Sequence, residues 1–273
     1  MCIVLKVSRS GYYGWMRKPE SERKMENEEI LDAIKEIRAK EPKKQVYGSP
    51  RMTKEMNEQG FSCGKNRVAR IMHDSGIRAK TVKKFKQTTD SNHKLPIAPN
   101  LLGGDFTIDA PDKVYVTDIT YIWTAEGWLY LAIVLDLFSR MVVGWAVSMR
   151  ITSELVIEAL NRAILMRRPE KGLIAHSDKG SQYASHDYRA LLNMHGFRQS
   201  MSGKGNCYDN AVAESFFHTM KTEWVFFEKY LTRSQAKTSL FDYVETFYNR
   251  ERRHSTLNYL SPWNYEQKFS MAA

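Results

Sequence analysis

Several things are scarce in this 273-residue chain. It has three cysteines, Cys2, Cys63 and Cys207, an odd number with no C-x-x-C pair, so neither a disulfide framework nor a cysteine zinc site is indicated. A reducing compartment follows. No apolar run reaches the roughly 20 residues of a membrane span, since Trp128–Val134 is broken off by Asp136. The N-terminus has no basic segment leading into an apolar one with a cleavage site, so a cytoplasmic location is expected. No G-x-G-x-x-G appears, and Gly203-Lys204-Gly205-Asn206 lacks the G-K-[ST] of a phosphate-cradling loop. Dinucleotide and P-loop chemistry are thereby set aside. Leucine-zipper heptads are absent too.

What is abundant is positive charge, and it is uneven. Residues 1–100 hold 22 Lys and Arg against 12 Asp and Glu, whereas residues 101–273 hold 19 of each. A basic third joined to a neutral remainder suggests an arm that neutralises phosphates, although a solubilising excess would read the same way.

The periodicity divides the chain into an N-terminal segment over 1–26, a helical unit over 27–76, a basic linker over 77–104, an α/β core over 105–230 and a C-terminal helix with a basic tail over 231–273. Gly11, Gly14 and Pro19 are expected to interrupt any helix before residue 24. Ile30, Ile34 and Ile37 then recur at helical spacing from Asn27 to Lys40, a second helix runs from Pro50 to Gln59, and a third from Lys65 to Ser75. Two short helices after a longer one resemble a helix-turn-helix, and the third carries Lys65, Arg67 and Arg70, suited to phosphates and base edges. An ordinary three-helix bundle with a solvated basic face is the competing reading.

From Asp105 the period becomes that of strands. Val114–Trp123, Trp128–Asp136 and Met141–Val147 read as an antiparallel meander, followed by a helix that Thr152 caps, a strand at Leu173–His176, a helix over Ser185–Met194, a strand at Arg198–Ser202 and a helix from Asp209 to Phe226. A last helix is expected from Ser234 through Phe247. The order βββαβαβα is that of a ribonuclease H-like α/β fold with a mixed five-stranded sheet.

Three carboxylates stand out in this frame. Asp118 interrupts an apolar strand, Asp178 ends another, and Glu214, 35 residues beyond it, sits among Ala211, Val212, Ala213, Phe216 and Phe217. Singly each reads as an ordinary strand, turn or helix residue. Together they supply the oxygen donors that a hard divalent cation prefers. His218 and Lys221 share the helix face of Glu214. Asp136, the competing carboxylate, is read as a turn residue or one supporting the site from behind, with metal contact the lesser alternative, and His176 as hydrogen-bonded to backbone or to a site carboxylate rather than ligating. Gly203–Asn206 reads as a flexible loop near the site, with Asn210 capping or orienting the helix behind it.

Five motifs stand in one order: Thr117-Asp118-Ile119-Thr120, Asp136 with Ser139-Arg140, His176-Ser177-Asp178 before Gly180-Ser181-Gln182-Tyr183, Asp209-Asn210 before Glu214, and Asn249 to Pro262. With them, residues 40–268 resemble the second-reading-frame transposases of bacterial insertion sequences, whose catalytic domain is shared with retroviral integrases. The resemblance implies that Asp118, Asp178 and Glu214 are catalytic and hold Mg²⁺, with Mn²⁺ as a substitute and two ions in all. It also implies that Lys221 contacts terminal DNA phosphates; Lys204 in the loop and Arg253 in the tail are further candidate DNA contacts. The implied reaction is metal-dependent cleavage at element ends and strand transfer by a 3′-hydroxyl. The implied partners are double-stranded DNA, further copies of the chain on paired ends, and an upstream-frame protein, separate or fused, bearing a helix-turn-helix and a leucine zipper. The setting would be the bacterial cytoplasm, at the nucleoid. The integrases' zinc-binding His and Cys pairs have no counterpart, because His73, His93 and Cys63 lack that spacing. A nuclease of the same fold that cuts without joining, or a DNA-binding regulator with idle carboxylates, would use the same features.

Overall fold

The computed structural model describes residues 2, 4, 6–17, 20–81, 96–103, 107–202 and 210–272. Lys204 and the rest of the 203–209 segment, and most of the basic linker with Lys83, Lys84, Lys86 and His93, lie outside them. The chain forms two compact units, Met1–Lys80 and Thr81–Ala273.

In the first unit, α1 (Arg9–Arg17) forms across Gly11 and Gly14, contrary to the sequence expectation, and buries no residue. Helix α2 (Glu22–Lys40) begins earlier than its apolar repeat does, because the Ser21 side chain accepts the Lys24 N–H and starts the helix in a solvated, charged turn. Its Ile30, Ile34 and Ile37 meet Met52 and Met56 of α3 (Ser49–Glu58) and Val68, Ile71 and Met72 of α4 (Lys65–Asp74) in the core. Lys44 reaches the buried Glu55 at 2.9 Å and so satisfies the acid inside this small bundle.

The second unit is built on a five-stranded sheet in the order β3-β2-β1-β4-β5. Strands β1 (Val114–Thr124), β2 (Gly127–Asp136) and β3 (Val142–Ser148) form an antiparallel meander. Strands β4 (Ile174–Ser177) and β5 (Arg198–Met201) add in parallel. The β1–β2 turn is tight and requires Gly127, whose φ is +103°. Helix α5 (Ser153–Arg167) buries Leu155, Val156, Ala159, Leu160 and Ala163 against β2 and β3. It approaches so closely that a Cβ at Gly144 would lie 2.3 Å from the Ala159 carbonyl oxygen. Thr152 occupies the N-cap position, but its side chain makes no cap bond; its hydroxyl bonds the Glu154 carboxylate instead. Helix α6 (His186–His195) is capped by Ser185, whose hydroxyl accepts the Tyr188 N–H.

Helix α7 (Ala211–Glu223) lies on β1. After it, α8 (Arg233–Phe241) continues as a π-helical stretch over Asp242–Tyr248 rather than as one α-helix to Phe247. The wider turn buries Tyr243, Val244, Phe247 and Tyr248 together. Asn249 then completes the β3 edge, taking the Val142 N–H and donating to the Val142 carbonyl, both at 3.0 Å. A final helix, α9 (Pro262–Ala272), was not expected from the sequence. Its Glu266 takes Arg167 at 2.7 Å, while the same guanidinium holds Asp112 at 2.9 Å. Its Tyr265 and Phe269 rings pack on Phe138.

Candidate active site

Asp118 lies where the sheet changes character. Strand β4 pairs with β1 only from Val114 to Thr117, so Asp118 is the first β1 residue beyond its parallel neighbour. It stays hydrogen-bonded to β2, opposite Ile133. Its carboxylate is 9% exposed and accepts its neighbour's N–H, from Ile119, at 2.7 Å. Asp178 follows the end of β4, and its Oδ1 accepts the Gly180 N–H at 2.9 Å in a tight turn. A Cβ on Gly180 would come to 3.0 Å from that same oxygen, a close fit that the glycine relieves. Glu214 stands half-buried in the first turn of α7.

Electrostatics tie these groups together. Burial pushes the Asp118 carboxyl well above the usual carboxylate range, the Asp178 and Glu214 charges add to this, and the Ile119 N–H and Lys221 oppose it. Lys221, two turns along α7 from Glu214, is 3% exposed, and burial pulls its ammonium down to about 8 against the opposing pull of Asp118. Its Nζ lies 4.6 Å from the centre of the Tyr121 ring. Asp118 is thus within electrostatic reach of two other acids and one cation. Among the described residues no three His, Cys, Asp or Glu side chains are close enough to hold a metal ion. The donor chemistry nevertheless fits a hard cation, because oxygen-only ligands with mutually opposed charges are relieved by one.

Two neighbouring side chains complete the surroundings. His176 is fully buried, with Nδ1 2.8 Å from the Ser200 hydroxyl and Nε2 3.5 Å from that of Ser202, hydroxyls of and beside β5. Asn210 stands at the α7 N-cap without a side-chain cap bond, since its ψ of 11° does not give the extended backbone that aims a capping side chain at the helix N–H groups. Its Oδ1 is buried with no hydrogen-bond partner among the described residues.

Asp136 is a turn residue, accepting the N–H groups of Asp112, Phe138 and Ser139. Tyr183 had no assigned role. Its phenol is buried, and burial together with the charges of Asp118 and Asp178 holds it protonated. The signal was its place five residues after Asp178, at the end of the His176–Tyr183 motif.

Of the candidate DNA contacts, Lys65 and Arg70 are exposed on α4. Arg67 instead reaches Glu26 and Asn27, both at 2.7 Å, and binds α4 to α2. Arg253 donates to the Tyr259 carbonyl at 3.1 Å.

Residues 109–207 and 195–262 match family models described as integrase core domain, and residues 25–85 match one described as an HTH-like domain. The chain is 43% identical to the transposase InsF for insertion sequence IS3A of Escherichia coli K12, over 98% of this chain and 93% of that one. It is 44% identical to an uncharacterized 31 kDa protein of insertion element IS600 of Shigella sonnei, over the full length of both. This chain belongs to the IS3-type insertion-sequence transposases. The sheet order and flanking helices of the transposase are those of a ribonuclease H-like core, with a helix-turn-helix-like unit before it. It is an enzyme, a polynucleotidyl transferase of the DDE class. A simian T-cell lymphotropic virus intasome matches over 81% of the transposase and 70% of that chain, at 18% identity and a TM-score of 0.49, too low to add to the assignment. No helix among the described residues is long and apolar enough to cross a membrane.

Proposed function

We propose that this transposase cuts DNA at the ends of its own insertion sequence and joins the freed 3′-hydroxyl to a new strand, with Asp118, Asp178 and Glu214 as the reaction centre. The observation that carries the reading is the opposition of three carboxylate charges around the point where β1 leaves β4. Together the three would hold Mg²⁺, or Mn²⁺ in its place, as two ions. Such ions supply an activated hydroxyl nucleophile and neutralise charge on the departing oxygen.

The chain's own groups do the rest. β1 and α7 fix two of the acids on rigid elements, and the Gly180 N–H orients the third. Lys221 brings a buried cation beside Asp118, placed to receive a phosphate of the strand being cut. The buried Tyr183 phenol, within electrostatic reach of Asp118 and Asp178, adds apolar bulk beside these acids. The exposed Lys65 and Arg70 of α4 would anchor double-stranded DNA outside the reaction centre, with Lys204 and Arg253 as further phosphate contacts and Arg67 left to hold the helices together. Copies of the chain would act on paired ends, with an upstream-frame protein or fusion supplying a zipper this sequence lacks.

The test is a labelled duplex carrying an element end, incubated with purified protein and Mg²⁺ and resolved on a denaturing gel. Nicked and joined strands that disappear in Asp178→Asn and Glu214→Gln are expected. Nicked product with no joined product would leave a nuclease, and salt-sensitive binding with neither, in the fused protein as well, would leave a DNA-binding regulator.

A further inference from the structure

Beyond Thr117, β1 has no β4 beside it, and just past the end of β1 the Ala125 N–H donates at 2.9 Å to the carbonyl of Tyr230, in the chain segment after α7. Between them lies a pocket of about 630 Å³, lined by Tyr121, Trp123, Trp128, Phe226, Leu231 and Lys221 among others. This is within the range of about 300–1,000 Å³ of small-ligand sites. Its rim is apolar yet wet, since Trp123 is 60% exposed, Trp128 43%, Phe226 46% and Leu231 65%. Trp128 meets Tyr121 edge-on at 5.0 Å and Trp123 at 4.8 Å, so the three rings form a continuous aromatic row along the β1–β2 hairpin. Aromatic surface of this extent in solvent marks a binding site.

We infer that this pocket seats one unstacked nucleobase of the DNA substrate, next to the phosphodiester that reacts. The inference rests on the reading of Asp118, Asp178 and Glu214 as the reaction centre. What selects a nucleotide over another apolar guest is Lys221. Its side chain lines the pocket, its ammonium lies 4.6 Å from the Tyr121 ring centre, and it feels the charge of Asp118, so one side chain belongs to both the pocket and the acid site. A ligand that fills the two at once needs a flat π surface and an anion a few bonds apart, which a nucleotide has. Stacking on aromatic side chains tolerates any base, and pulling a base from the duplex exposes the adjoining phosphate to the carboxylates.

The experiment uses the full chain carrying Asp178→Asn, which binds without cutting, and duplex element ends with 2-aminopurine placed singly at each nucleotide flanking the scissile phosphate. One position is expected to change its emission on binding, reporting an unstacked base. Trp123→Ala and Trp128→Ala should abolish that change and weaken end binding about 5- to 100-fold. Trp128→Phe should retain the signal. Both tryptophans are surface residues, and unchanged thermal unfolding would confirm that the variants fold. No position changing its emission, or a change that survives both alanine variants, overturns the inference. So does a loss of oligomeric mass in those variants with emission unaltered, which would give the pocket to a second copy of the chain. The emission needs no cleavage: a wild type that fails to cut, alone and in the fused protein as well, would sink the carboxylate reading, while the emission still decides the pocket.

Discussion

Helix α7 carries two buried or half-buried glutamates, and the protein treats its two ends differently. At the C-terminal end Glu223 meets Arg252 in a two-pronged ion pair, at 2.7 and 2.8 Å, with the side chains 9% and 4% exposed. The geometry satisfies both carboxylate oxygens, and Glu223 holds the Arg252 guanidinium charged against its burial. At the N-terminal end Glu214 acts on a buried Asp118 that already feels Asp178, and Lys221 eases Asp118. One end is a closed internal pair that fixes the C-terminal segment to the core. At the other, burial and the charges of Asp178 and Glu214 raise Asp118 even against the pull of Lys221. Burial alone therefore does not tell a structural acid from a functional one; the sign of its neighbours does.

The sharpest way to break the comparison is at the acid-rich end. Asp178→Asn and Glu214→Gln each remove one charge without changing shape, so the fold should persist while strand cleavage falls by about a thousandfold or more, about 4 kcal/mol of barrier. Gel assay of cleavage beside a circular dichroism melt checks both halves. At the closed end the reverse is expected. Glu223→Ala leaves the Arg252 guanidinium buried without its acid and should cost about 3–5 kcal/mol of stability, read as a lower urea midpoint. A Glu223→Ala protein as stable as the wild type would refute the division of labour along α7.

A smaller effect lies in Lys221, the cation beside Asp118. With Lys221 at about 8, its ammonium is present below that pH and lost above it. Binding of element ends should weaken by about tenfold as pH rises through about 8, one charge-assisted hydrogen bond of about 1.5 kcal/mol. Lys221→Arg stays charged and should flatten this step. A step that persists in Lys221→Arg would place the titration on another group.

Much of this was legible in the sequence because it is periodic or interrupts a period. The strands fall within one residue of their expected ends, since alternation and Gly127 mark them. Asp118 could be singled out because a carboxylate breaks an apolar strand. Features without a period escaped. α1 buries nothing and so has no apolar repeat to read. α9 begins at Pro262, which reads as a stop although proline suits a first helical turn. The π-helical turn hides because Tyr243, Val244, Phe247 and Tyr248 look like an ordinary helix face. The pairing of Glu223 with Arg252 spans 29 residues of sequence and has no local signature. Nor has the row of Tyr121, Trp128 and Trp123, which looks like common strand composition until the hairpin brings the rings together.

The smallest effect sharpens the comparison most, because it has the opposite sign at the two ends. Asp118 binds a proton more tightly in the folded chain than in the unfolded one. Between its unfolded and folded pKa values the native state therefore holds more protons, and stability falls as pH rises through that window. At neutral pH the ionised or reluctantly protonated acid is a net cost. Asp118→Asn, whose amide oxygen can still accept the Ile119 N–H, should remove that cost and raise stability by about 0.5–2 kcal/mol while ending catalysis. Its advantage should shrink as pH is lowered toward the unfolded aspartate value, where the wild-type acid is protonated in both states. Added Mg²⁺ should raise the melting temperature of the wild type and not of Asp118→Asn, because only the wild type has the full set of charges for the ion to balance. If Asp118→Asn proves less stable than the wild type at neutral pH without metal, then Lys221 alone already balances Asp118, and the N-terminal end of α7 is as closed a charge cluster as the Glu223–Arg252 end.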